Sequence, residues 1–371
     1  ILIFFNKINI SKKIIRTFIV ALVLIIVSLS WVIIVDLTPA QNRPYVGGTQ
    51  TNRAMELAIA YNGIFRAVEL SHGYNFYEET GKPGWFRLFN QYLGGQISWF
   101  IPLALIGAIA YFLYSISNSS FDMKKRQGFF FFSSWFVILY LYFNLNTGLF
   151  HIYYIAMIAP SVAVLCGTGV FGLVKLYFSN KILKWMLPAA LLISVIVQVI
   201  LANYFAEWNS VFIYILITLS SLSLGYLVLN LLLTYKFSNI LTNCIIVLCF
   251  LSQLIIPTAW AITPILYGGD PGSPYARPDL KILKTSAAYF YFEKREKREY
   301  EKLLSFLEKN NHNEKYVSGV NGALFCGSDL VLFTDGRIMS LGGFNGFDPI
   351  VSGDTLSTYA KSEEIRFFLI R

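Results

Sequence analysis

An α-helical polytopic membrane protein with about seven transmembrane helices and a C-terminal extracytoplasmic α/β domain is the fold class that this sequence predicts. Three observations carry that expectation. Of 371 residues, 56% are hydrophobic and 14% charged, against about 25% charged in an ordinary soluble domain. The apolar residues gather in seven runs: Thr17–Val35, Ser98–Ile116, Phe129–Leu149, Tyr154–Val174, Trp185–Asn203, Val211–Leu233 and Leu241–Thr263. About 20 such residues cross the hydrocarbon core, so each run is long enough to span. None of the seven contains Asp, Glu, Lys or Arg.

The cations set the expected orientation. On one side, alternate connectors carry Lys7, Lys12, Lys13 and Arg16, then Lys124, Lys125 and Arg126, then Lys175, Lys181 and Lys184, then Lys236. The short connectors Phe150–Tyr153 and Tyr204–Ser210, on the other side, carry no Lys or Arg. Because Lys and Arg favour cytoplasmic loops, the N-terminus is expected inside and, after an odd number of spans, the C-terminus outside. That arrangement describes a multi-pass protein of the plasma membrane. It divides into a basic cytoplasmic segment 1–16, a helical bundle 17–263 with a large outer loop 36–97, and an extracytoplasmic α/β domain 264–371. The net charge of +9 follows from the inner connectors, while the outer loop and the C-terminal domain each sum to zero. Those cations face an anionic inner leaflet, so no nucleic-acid partner is called for.

The first run has no small-residue cleavage site and is too long for a signal peptide. The chain opens on Ile1-Leu2-Ile3-Phe4-Phe5, already apolar, and stops directly after a strand-like segment at Arg371. Both ends read as cuts, the N-terminal one through a longer protein. Cys166, Cys244 and Cys249 lie in spans as small apolar groups. Cys326 has no outer partner, so no intrachain disulfide is expected.

Within the outer loop, Thr51–Leu70 reads as an amphipathic helix, with Leu57, Tyr61, Ile64, Phe65 and Val68 at spacings of three and four. Gly81-Lys82-Pro83-Gly84 is a turn, after which Trp85, Phe86, Phe89 and Tyr92 lead into the second span at interfacial depth. Past Thr263, residues 267–274 form a linker rich in turn formers. Glu296–Asn310 reads as a helix, Lys315–Val320 as a strand, Gly322–Leu332 as a helix and Ile338–Leu341 as a strand. Asp354–Ser362 reads as a helix with Asp354 as its N-cap, and Ile365–Ile370 as a last strand. Alternating strands and helices call for a mostly parallel sheet.

Each candidate for chemistry has a plainer reading beside it. Gly167-Thr168-Gly169-Val170-Phe171-Gly172 has the spacing of a dinucleotide loop but lies inside an apolar run without a preceding strand. Small residues that let membrane helices approach closely account for it better. Phe150-His151-Ile152-Tyr153-Tyr154 is either an aromatic belt or a place where His151 and Tyr153 contact a phosphate or sugar at headgroup level. Asn42-Arg43-Pro44-Tyr45 with Gly47-Gly48 offers a guanidinium, whose planar fork suits phosphate, or else a solvated loop arginine. Asp36 could activate a hydroxyl, though an interfacial carboxylate reads more simply. The histidines His72, His151 and His312 are far apart, and neither a metal site nor a cofactor is indicated.

These residues also carry a resemblance. Asp36-Leu37-Thr38-Pro39-Ala40, Arg43-Pro44-Tyr45-Val46-Gly47-Gly48 and Tyr61-Asn62-Gly63 resemble the outer loop of the bacterial Ykc-type mannosyltransferases. Arg87-Leu88-Phe89, Gly94-Gly95-Gln96-Ile97-Ser98-Trp99, His151 with Tyr153-Tyr154, and Leu341-Gly342-Gly343-Phe344-Asn345-Gly346-Phe347-Asp348-Pro349 extend it over most of the chain. These proteins are similar to the multi-span glycosyltransferases that include protein O-mannosyltransferases and lipid A aminoarabinose transferases. The resemblance implies sugar transfer at the outer face from a polyprenyl-phosphate-linked donor to a cell-envelope glycan or lipid. It implies that this piece is the C-terminal half, with a catalytic acidic residue upstream of Ile1 that is not Asp36. Arg43, Tyr45, Asn52, His151, Tyr153 and Tyr154 are then the candidate substrate-binding residues, among membrane lipids. A transporter or flippase, or a membrane protein whose outer domain binds envelope polymer, is the rival reading. Spans holding only neutral polar groups such as Asn144, Asn230 and Gln253 weigh against transport.

Overall fold

The computed structural model describes residues 9–68, 77–118, 122–179, 182–233, 237–269, 274–281, 299–323, 330–331, 334–344 and 346–369. Contacts divide the chain into two units, one of residues 1–13 and 71–284, the other of residues 14–70 and 285–371. The fold is mostly helical, and among the described residues seven helices are long and apolar enough to cross a membrane, one on each apolar run.

Helix α1 (Ile10–Leu37) lies, but for its first residues, in the second unit and has no buried residue. A helix that is apolar all round and exposed all round suits lipid as its solvent. The amphipathic helix that follows, α2, is shorter and wider than the periodicity suggests. It opens as Ala54–Glu56, becomes a π-helix over Leu57–Ile64 and closes as Phe65–Ala67; residues 69–70 lie outside the described residues. Its start is fixed from a distance. The Asp36 carboxylate, at the end of α1, accepts the Ala54 N–H at 2.6 Å and the Met55 N–H at 3.1 Å, supplying the cap, so the helix begins at Ala54 and not at Thr51 as expected. Thr51 stays outside because Glu56 accepts the N–H groups of Gln50 and Thr51, each at 2.9 Å. From the closing turn, the Arg66 guanidinium stands over the ring of Tyr61 in the π segment, 5.0 Å from its centroid.

The first unit is a bundle of α3 (Ile101–Ser117), α4 (Met123–Leu145), α5 (Ala159–Tyr177), α6 (Met186–Asn203), α7 (Ala206–Leu232) and α8. Helix α8 runs Asn239–Ser252 and resumes as Ile255–Ala261 and Thr263–Tyr267. Pro257 and Pro264 explain the interruptions, since neither can donate to the carbonyl four residues back. The closest approach is between α3 and α5. A Cβ added to Gly169 would lie 2.6 Å from the Cα of Gly107, and one added to Gly172 would lie 2.6 Å from the Cα of Tyr111. The glycine run therefore does serve helix packing, except Gly167, whose added Cβ meets nothing within 4 Å. Phe129, Phe136, Phe143 and Phe150 fill the core on one side of this contact.

Asn144 shows why a polar residue is tolerated near the end of α4. Its side-chain oxygen accepts the Leu88 N–H at 3.1 Å, and its amide donates to the Tyr140 carbonyl at 2.9 Å. With the Gly84 N–H donating to its backbone carbonyl at 2.8 Å, it pins segment 84–88 to the bundle. Gln198 and Gln253 differ: both are fully buried, and the Gln198 side-chain amide has no hydrogen-bond partner among the described residues, while Gln253 has the Cys249 thiol beside it.

In the C-terminal part of the second unit, β1 (Ser318–Val320), β2 (Ile338–Ser340) and β3 (Phe368–Leu369) form a parallel sheet in the order β2-β1-β3. The parallel sheet expected from the alternating pattern is thus present, with shorter strands. Helix α9 (299–309) lays Leu303, Leu304 and Leu307 on Val317, Val320 and Ile338. Helix α10 (Gly353–Lys361) corrects one expectation: its N-cap is Ser352, whose hydroxyl accepts the Thr355 N–H at 3.1 Å. Asp354 sits in the first turn, where its charge still meets the positive end of the helix. The helix expected over Gly322–Leu332 falls mostly outside the described residues, and so does Cys326.

Candidate functional site

The six candidate residues fall three to each unit, and each group is brought together locally.

In the second unit, the loop after α1 is tied by its own polar groups. Asn52, in the left-handed region at φ 55°, turns its side-chain oxygen to the Val46 N–H at 2.8 Å. The Tyr45 hydroxyl donates to the Thr49 carbonyl at 2.5 Å, and the Thr49 hydroxyl to the Val46 carbonyl at 2.7 Å. Glu56 closes the loop from the far side. The Gln50 N–H, then the Thr51 hydroxyl, hold its carboxyl below the ordinary glutamate range.

Arg43 lies inside this loop with 10% of its side chain exposed. Its Nη2 donates to the Asn52 carbonyl at 2.6 Å, and Asp36 Oδ1 stands 3.9 Å from Nη1, an ion-pair distance and not a hydrogen bond. Both Nε and Nη1 are buried without a hydrogen-bond partner among the described residues. A buried donor left unmet costs about 1–3 kcal/mol, more when charged, and each of these nitrogens retains capacity for an acceptor. Asp36 does not supply it at 3.9 Å; its oxygens are turned to the Ala54 and Met55 N–H groups.

The same loop is held by the other end of the chain. Asp348 Oδ2 accepts the Gly48 N–H at 2.9 Å, and the Gln50 amide reaches the Phe347 carbonyl at 3.5 Å. The segment carrying Asp348 is shaped by Gly343 and Gly346, at φ 70° and 81°. The Gly342 N–H donates to the Asn321 carbonyl at 2.8 Å, which places the segment at the C-terminal ends of β1 and β2. That edge is where parallel sheets take ligands. Asp348→Ala is expected to speed hydrogen exchange at the Gly48 amide by about tenfold, the equivalent of one hydrogen bond. Asp348→Asn, which keeps an acceptor, is expected to leave the exchange rate near wild type.

In the first unit, His151, Tyr153 and Tyr154 form one aromatic group. The His151 and Tyr153 rings are parallel within 4° at 5.4 Å, and Tyr154 meets the imidazole edge-on at 5.5 Å. His151 Nδ1 is buried without a hydrogen-bond partner and stands 3.6 Å from Glu79 Oε2, an ion pair when the imidazole is protonated. Beneath them Arg87 is buried. It donates to the Asn146 carbonyl at 2.7 Å and to the Thr80 hydroxyl at 2.7 Å, with its guanidinium 4.5 Å from the centre of the Phe150 ring. Glu79 was not among the sequence candidates, and its only signal was an acidic pair ahead of the Gly81–Gly84 turn.

Residues 303–371 match the family described as "Putative mannosyltransferase YkcB-like, C-terminal". The chain is 30% identical to the "Putative mannosyltransferase YycA" of Bacillus subtilis (strain 168), over 450 aligned positions that cover 98% of this chain and 64% of that protein. It is 26% identical to the "Putative mannosyltransferase YkcB" of the same organism, over 455 positions covering 97% of this chain and 62% of that protein. The chain thus spans less than two thirds of the length of these relatives. No solved structure matches it significantly. The resemblance to the Ykc-type proteins carried by the loop motifs is borne out, by the family match in the C-terminal domain and by likeness along nearly the whole chain.

Proposed function

We propose that this chain is part of a membrane glycosyltransferase that moves a sugar, mannose by the names of its relatives, from a polyprenyl-phosphate donor to a cell-envelope acceptor. The observation that carries the reading is Arg43, a nearly enclosed guanidinium with two donor nitrogens unmet among the described residues. An anionic phosphate is the acceptor such a group is best suited to take. In the reaction, the acceptor hydroxyl oxygen bonds to the anomeric carbon as the bond from that carbon to the phosphate oxygen breaks. The hydroxyl proton passes to a base, and polyprenyl phosphate leaves with the electron pair. Arg43, with Tyr45 and Asn52 shaping its loop, neutralises the departing phosphate. His151, Tyr153 and Tyr154 contact the sugar or phosphate at headgroup depth. The base is assigned to no residue here, and the engagement of both Asp36 oxygens supports leaving Asp36 out of that role. Loop 36–97 and domain 264–371 work at the outer face, as the cation distribution suggests.

The full-length protein in liposomes, given polyprenyl-phosphate-linked [14C]mannose, is expected to release polyprenyl phosphate and label an envelope acceptor. The rival transport reading rests on the Gln198 amide, buried inside a span with no hydrogen-bond partner among the described residues. Movement of intact donor across the bilayer without sugar release would favour it and sink the transferase.

A further inference from the structure

Away from both clusters, a cavity of about 420 Å³ opens where α3 ends and α4 begins, against the middle of α5, on the side of the bundle bearing Lys124, Lys125 and Arg126. Its wall is aromatic: the Phe171 ring meets Tyr114 edge-on at 5.7 Å and Tyr111 at 6.4 Å. Its rim carries one anion and one cation, Asp122 and Lys125. Asp122 is the N-cap of α4, one carboxylate oxygen accepting the Lys124 N–H at 2.9 Å; a carboxylate has capacity for further donors. Inside, Gly167 leaves open space. It lies ten residues before the end of α5 at Tyr177, about 15 Å along the helix axis. The cavity therefore runs from a charged rim to hydrocarbon depth.

A ligand matching this lining has a cationic and an anionic group close together on an apolar tail. We propose that the cavity binds an aminophospholipid, its ammonium on Asp122, its phosphate on Lys125, and the start of an acyl chain along Phe171 and past Gly167. Free phosphate would use the cation and leave the aromatic wall empty. A quaternary ammonium headgroup has no N–H to give Asp122. Lys124 and Arg126 add attraction for anionic lipid in general, and Arg126 is also bonded to the Ser115 carbonyl at 2.8 Å; the preference for an amine therefore hangs on Asp122. The proposal stands independently of sugar transfer.

The protein, extracted in mild detergent and equilibrated with equimolar phosphatidylethanolamine, phosphatidylglycerol and phosphatidylcholine, is to be read by native mass spectrometry. Phosphatidylethanolamine is expected to be retained about fivefold over each of the others, the equivalent of one hydrogen bond of ordinary net strength. Asp122→Asn keeps a good helix cap, so it should abolish the preference for ethanolamine over choline with the melting temperature unchanged. Gly167→Leu, which fills open space, should remove retention of all three. Phosphatidylglycerol retained as well as phosphatidylethanolamine, or a preference that survives either substitution, would overturn the site.

Discussion

Replacing Arg43 with alanine in the full-length protein is expected to raise KM for the polyprenyl-phosphate donor by about 10- to 100-fold, with a smaller fall in kcat. The magnitude is that of one or two charge-assisted hydrogen bonds lost from a desolvated site, about 1.5–3 kcal/mol. Loss of binding felt equally by donor and transition state moves KM, while any part of the guanidinium's work done on developing phosphate charge moves kcat as well. Arg43→Lys keeps the charge but loses the planar donor set, so it should recover only part of the affinity. Arg43 also ties its own loop through the Asn52 carbonyl, and a loosened loop could imitate a lost ligand contact. Asp348→Ala separates the two, because it unfastens the loop at Gly48 and leaves the guanidinium in place. Donor KM moved equally by Asp348→Ala and Arg43→Ala would make Arg43 a loop fastener. Unchanged KM in Arg43→Ala would remove it from the site.

Gly169→Leu is expected to lower the melting temperature in detergent by roughly 5 °C or more, from a loss of about 3 kcal/mol or more. The backbone of Gly107, and no yielding side chain, faces the added carbon at 2.6 Å. Two helices must separate to admit it, which withdraws packing along the whole α3–α5 contact. Gly167→Leu, two positions away, meets open space and is expected to melt within about 2 °C of wild type. Equal behaviour of the two variants would show that the close helix crossing is not where the bundle draws its stability.

Spans were legible because about 20 residues of hydrocarbon-compatible sequence admit few other structures. Strand and helix order in the C-terminal domain was legible through its changing periodicity. What escaped were the long-range caps. Nothing in residues 51–54 shows that a carboxylate on α1 will decide where α2 begins, and so Thr51 was placed inside a helix that starts at Ala54. The choice between Ser352 and Asp354 as cap turned on backbone angles that two neighbouring good cappers do not disclose. At the candidate site, Arg43 was legible by residue type, but its enclosure was not, since that depends on how Asn52 and Tyr45 fold the loop. Glu79 and Asp348 were missed as neighbours because a turn and a separation of 300 residues, respectively, bring them into place.

That last separation has a consequence for how the protein is made. A ribosome releases Gly48 long before it reaches Asp348, so throughout synthesis the loop waits without its fastening. Premature termination after the last span ends at Tyr267 but ahead of residue 348 would yield a product with every span intact and the loop unfastened.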